Sequence, residues 1–228
     1  MKKILILLCF IVITISCNEV KKSSEDIQSQ ENISEKKRTT AEGIAFKNGF
    51  ENWEKVSEIS FTFNVDRSEN HFERSWSWKP KSQDILMIAG KDTVSYNRMK
   101  MDSIIKKTDA SFINDKYWLL APFNLIWDEG TAFTETQDVP APISKEILNK
   151  LTVVYGHDGG YTPGDAYDFY FGKDFIIKEW TYRHANDSTP TMTNTWEDYE
   201  EFNGLQIAKM HKDSLGDFKL YFTNISVK

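Results

Sequence analysis

The chain has 228 residues, 14% of them aromatic with seven Trp, and a formal net charge of −6. Such a length allows one domain of ordinary size beside an N-terminal export segment. The acidic balance argues against nucleic acid as a partner and against electrostatic attraction to anionic lipid headgroups.

Lys2 and Lys3 precede an apolar run from Ile4 to Ile15, interrupted only by Thr14. A helix needs about 20 apolar residues to cross a bilayer, so this run is a secretory core and not a span. Small Ser16 directly before Cys17 resembles a bacterial lipobox, in which the thiol takes a diacylglyceryl group and becomes the new N-terminus; Thr14 stands where leucine is usual. An ordinary signal peptide with an incidental cysteine is the alternative. Residues 1–16 are thus read as signal peptide and Cys17 as the lipidation site. Cleavage removes Cys9, so no intramolecular disulfide is possible, and losing Lys2 and Lys3 takes the charge from −6 to −8. Stable anchoring needs more than one acyl chain, which a lipoprotein cysteine supplies.

Residues 17–40 follow as a tether of Ser, Glu, Lys, Gln and Asn, too poor in apolar side chains to offset the entropy of ordering. Its charges nearly cancel, so it is a spacer. The domain proper is expected over residues 41–228. Ala41 to Lys55 has loosely helical apolar spacing. Ile59 to Val65 and His71 to Trp78 alternate with period two, and Asp84 to Ala89 with Thr93 to Arg98 reads as a hairpin turning at Gly90-Lys91-Asp92. Asp109 to Asp115 reads as helical. Lys116 to Trp127 is nearly continuous apolar surface in which Pro122 is expected to prevent a regular helix. Strands return at Leu151–Tyr155, Ala166–Phe171, Phe175–Arg183, Thr191–Asp198, Leu205–His211 and Asp217–Val227, separated by turn residues. Short links between successive strands predict an antiparallel meander, mainly β with short helices, bent into a curved sheet or open barrel.

No nucleophile elbow, phosphate loop or paired-cysteine zinc motif occurs, and the four histidines are scattered. The densest polar cluster surrounds His157, Asp158 and Asp165, with Asp168 beyond. It offers calcium ligands or an acid and base, against a glycine-rich hairpin whose aspartates bond the turning backbone; the ligand spacing of a calcium loop is lacking, which favours the hairpin. No catalytic residue, metal or cofactor is therefore expected. Trp76, Trp78, Trp118, Trp127, Trp180 and Trp196 either fill a core or line a concave apolar pocket. Arg74, Arg98 and Arg183 are expected in surface ion pairs, or at a cavity mouth facing a headgroup.

The run Phe112 to Phe123 followed by Asp128-Glu129-Gly130 resembles a stretch of the LolA/LolB-like outer-membrane lipoprotein-sorting proteins and their lipoprotein relatives. Tyr161 to Tyr167, Glu179-Trp180, Trp196 to Tyr199 before Asn203-Gly204, and the strand Phe218 to Val227 resemble it too. The resemblance implies an unclosed antiparallel barrel of about eleven strands, with helices plugging the concave face and acyl chains bound inside. It implies a cavity lined by Trp76, Trp78, Tyr117, Trp118, Leu120, Phe123, Trp127 and Trp180. A lipid anchor departs from the soluble sorting chaperone and matches the outer-membrane receptor type. The expectation is a monomeric lipoprotein of a Gram-negative cell envelope, in the outer membrane before the inner. It would bind a lipid or lipoprotein acyl chains without catalysis. A secreted hydrolase using His157, Asp158 and Asp165, and a surface glycan- or protein-binding lipoprotein, are the alternatives.

Overall fold

The computed structural model describes residues 38–157 and 162–228. The expected signal peptide, Cys17 and nearly all of the tether lie outside these residues, as does Asp158.

The first element, α1 (Thr40–Lys47), starts on a capping box in which Thr39 and Glu42 satisfy each other's backbone N–H groups. The expected single helix to Lys55 is two pieces. Gly49 has φ 90°, and a separate 3-10 turn covers Phe50–Lys55. A Cβ at Gly49 would sit 2.0 Å from the Gly204 carbonyl oxygen, so the two backbones touch only because Gly49 has no side chain. Asn52 Nδ2 donates to that same carbonyl at 3.1 Å, which fastens the N-terminal elements to the Asn203-Gly204 turn.

Twelve strands follow among the described residues: β1 (Ile59–Arg67), β2 (Asn70–Lys79), β3 (Asp84–Ala89), β4 (Asp92–Asn97), β5 (Thr131–Pro140), β6 (Ile147–Tyr155), β7 (Ala166–Phe171), β8 (Ile177–Arg183), β9 (Met192–Thr195), β10 (Glu197–Phe202), β11 (Leu205–Lys212) and β12 (Phe218–Val227). All pairings are antiparallel. A seven-stranded sheet has the order β10-β11-β12-β1-β2-β3-β4 and a five-stranded sheet the order β5-β6-β7-β8-β9. The alternation read from Ile59 to Val65 puts Phe61 and Phe63 in the core, and its register with β2 sets Phe61 opposite Trp76. The arrangement is open: β4 and β5 end their sheets unpaired with each other.

The two sheets meet at an interrupted strand. β9 pairs with β8 and β10 with β11, and Trp196 between them donates its backbone N–H to the Lys178 carbonyl at 2.7 Å. Across the join, the Lys212 backbone N–H donates to Thr195 Oγ1 at 3.1 Å. The expected strand Thr191–Asp198 is therefore a transfer from one sheet to the other. The seven and five strands make twelve among the described residues, against the count of about eleven that the resemblance implies.

A 23-residue helix, α2 (Ile105–Trp127), joins β4 to β5 across the concave side. Asp102 Oδ1 caps it by accepting from the backbone N–H groups of Ile104 and Ile105. As expected, Pro122 prevents a regular helix through the centre of this segment. The helix continues through it with a kink, Leu120 taking φ −126° and ψ 25°, and burial of residues 117–125 outweighs the lost hydrogen bond. β5 is a strand that alternation did not reveal, because nearly every residue from Ala132 to Asp138 is exposed.

Candidate functional site

Helix α2 carries the chemistry of the interior on two faces. Toward the seven-stranded sheet it sends carboxylates. Asp115, fully buried, is gripped by the Arg74 guanidinium through Nε and through Nη2, the latter at 2.7 Å, and accepts from Trp76 Nε1 at 2.8 Å. Asp109, a turn and a half earlier, accepts from Tyr96 Oη at 3.0 Å and from Arg98 Nε at 2.8 Å. Burial and the Asp109 charge push the Tyr96 phenol well above its ordinary value, so it remains a donor. Phe112, between the two carboxylates, packs edge-on against Trp76 and Trp78.

Toward the five-stranded sheet and the join the helix presents rings. Trp118 meets Trp180 with centroids 4.5 Å apart, and Tyr117 lies against Tyr167 at 5.2 Å. The polar contact on this side is a relay of phenols. Tyr117 and Tyr155 hydroxyls are 3.0 Å apart, and Tyr155 donates to Asp128 at 2.8 Å. Burial raises both phenols far above the usual range, keeping them protonated.

The join also collects polar atoms without protein partners. Trp180 Nε1, Trp196 Nε1, His211 Nε2 and both side-chain polar atoms of Asn194 are buried and have no hydrogen-bond partner among the described residues. Asn194 is the cross-strand neighbour of Trp180, and the His211 ring lies 4.5 Å from that of Trp196, so these groups share one region. His211 Nδ1 faces the Thr195 carbonyl at 3.2 Å, and complete burial lowers the ring's pKa to about 3, leaving it neutral.

At the C-terminal end of α2 the aromatic surface is only half covered. Phe50, Trp53 and Trp127 are partly exposed; Trp127 meets Trp53 at 4.8 Å and Phe50 at 6.2 Å, and Trp53 also touches Trp78 at 5.3 Å. The half-buried ammonium of Lys116 sits over the rings of Trp127 and Trp78, at 5.1 and 6.0 Å. Its hydrogen-bond acceptor is Asn124 Oδ1, at 3.5 Å. Among the described residues no carboxylate pairs with it, and desolvation lowers its pKa to about 8.

The structure thus brings all eight expected cavity residues into one cluster: Trp76, Trp78, Tyr117, Trp118, Leu120, Phe123 and Trp180 buried, Trp127 half-buried. Surface clefts lie elsewhere. One of about 270 Å³ borders Ser60, Thr62, Ser75, Leu86 and Ile88. Another of about 380 Å³ borders Arg67, Met192 and Phe218 near the join. The expected surface pairs of Arg74, Arg98 and Arg183 are corrected: each guanidinium meets a buried carboxylate, Asp115, Asp109 and Asp168 respectively. In the glycine-rich loop, Asp165 accepts from Tyr182 Oη and from the Ala185 backbone N–H, both at 2.7 Å, and Asp168 binds Arg183 and Thr152. These carboxylates tie β7 to β8 and the turn after it. Among the described residues no group of three His, Cys, Asp or Glu is placed to hold a metal. Glu179, quoted for its resemblance, also has a structural task, accepting from the backbone N–H groups of Ile143 and Ser144. The sequence reading missed Asp109, Asp115, Lys116 and His211. A signal existed for the two aspartates, which are acidic positions within an otherwise apolar helical face.

No family model matches the chain, and no curated protein matches it. Among solved structures it is similar to a DUF1329 family protein from Desulfovibrio piger, at 9% identity over 82% of this chain and 92% of that one, with a TM-score of 0.43. That is a distant structural neighbour and no more.

Proposed function

We propose that the protein is a lipid-anchored component of a bacterial cell envelope that binds a lipid or another apolar guest against the ring-lined concave side of its curved sheets, without catalysis. The observation that carries this reading is the continuity of the aromatic cluster. Half-buried Trp53 and Trp127 pack on Phe123, which belongs to the same hydrophobic core as Trp118 and Trp180, so an apolar guest at the exposed end would meet ring surface continuous with the core. The LolA/LolB-like resemblance and the lipobox at Cys17 support it from the sequence. The guest would lie first across Phe50, Trp53 and Trp127, where coverage is incomplete.

Native mass spectrometry of the full-length protein, extracted in nonionic detergent, tests the reading. A retained lipid adduct, lost when Trp53 and Trp127 are both replaced by Ser, is the expected result. A protein that stays free of adducts and whose tryptophan emission ignores brominated lipids would overturn it. The same spectrum weighs the Cys17 thioether and its acyl chains.

A further inference from the structure

We propose that Lys116 is a headgroup site for a long-chain carboxylate, the alkyl chain lying on Phe50, Trp53 and Trp127. This inference deepens the proposed function and rests on it. Three observations lead there.

A half-buried cation is normally paired, because desolvating a charge without a counter-charge is costly. The other basic groups that reach the core side of α2 obey this, Arg74 with Asp115 and Arg98 with Asp109. Lys116 does not. Asp128 and Asp109 act on it only through their charge and form no salt bridge with it: Asp109 is bound by Tyr96 and Arg98, and Asp128 by the neutral Asn124 and Tyr155. What faces the ammonium instead is two indole rings and one amide oxygen.

The surroundings also select the ligand. A lysine is a single compact charge, suited to a monoanion; a phosphate is better met by the planar fork of arginine or by several cations. Half-exposed indole and phenyl faces beside the ammonium suit a methylene chain and offer nothing to a sugar ring's hydroxyls. Carboxylate and chain together describe a fatty acid. Its binding would give the ammonium a carboxylate in direct contact, beyond the more distant charges of Asp128 and Asp109, and Lys116 would then hold its proton to higher pH than the present value of about 8.

The test uses the full-length protein in nanodiscs of neutral lipid and two probes of equal length, an ω-brominated undecanoate and the corresponding bromo-alcohol, read by tryptophan quenching at neutral pH. The carboxylate should quench at about tenfold lower concentration than the alcohol, roughly the worth of one charge-assisted hydrogen bond. Lys116→Met should erase that preference while leaving quenching by the alcohol unchanged, and Lys116→Arg should keep it, with circular dichroism confirming that both variants are folded. Equal quenching by the two probes in the unsubstituted protein, or a preference that survives Lys116→Met, would overturn the headgroup site and leave apolar binding standing. If neither probe quenches, both fall.

Discussion

Helix α2 meets β2 and β4 through carboxylates, and β7, β8 and β11 through rings. On the first side the carboxylates have definite partners, Asp115 with Arg74 and Trp76 and Asp109 with Arg98 and Tyr96, while the buried Trp78 Nε1 beside them is unpaired among the described residues. On the second side ring contacts dominate beside the Tyr117–Tyr155–Asp128 relay, and Trp180, Trp196, Asn194 and His211 keep polar atoms unpaired. The charged side fixes the register of the helix on the wall, because a guanidinium fork accepts a carboxylate in one orientation. The ring side supplies apolar area through edge-to-face and tilted ring pairs.

Asp115→Ala should break this contrast with the largest effect. It leaves a mostly buried guanidinium and an indole N–H without their acceptor, a loss of about 3–5 kcal/mol in urea unfolding. Adding Arg74→Met should restore much of it, since the charge itself is then gone.

Acid should strain the ring side next. His211 is neutral when folded, with a pKa of about 3, against an ordinary value of 6.5. Below pH 6.5 the unfolded chain takes up a proton that the folded one refuses, so stability falls as pH falls, by roughly 1.4 kcal/mol per unit down to about pH 3. Between about pH 6.5 and 5 the carboxylates with lowered pKa values, such as Asp165, remain ionised and add little. Denaturation midpoints across that window should flatten in His211→Phe. A slope unchanged by the substitution would show that His211 is not the group responsible.

The smallest effect sharpens the comparison from the other direction. Trp180→Phe keeps a ring in contact with Trp118 and deletes an unpaired buried donor, so stability should change by no more than about 1 kcal/mol. A loss well beyond that, measured by urea unfolding, would mean the indole N–H is held by a partner such as enclosed water.

What the sequence disclosed follows the same division. Strands with one face buried, such as β1 and β2, announced themselves by alternation, since burial imposes period two. β5 did not, because with both faces in water its threonines and charges carry no such constraint. The helical reading of residues 109–115 was right but short. The packing of Tyr117, Trp118 and Phe123 holds Pro122 inside a helix that local propensity would have ended. The eight aromatic and apolar residues were legible as types, and the LolA/LolB-like resemblance named them together; seven lie in the core and Trp127 packs against it. The partners of Asp109 and Asp115 were not, because Arg98 and Arg74 lie 11 and 41 residues away along the chain, and no local pattern records such a pairing.

The join at Trp196 has a thermodynamic consequence. Because one run of chain belongs first to the smaller sheet and then to the larger, neither sheet can lose that run without fraying the other. The wall should therefore melt as a single cooperative unit, although by hydrogen-bond ladder alone it counts as two.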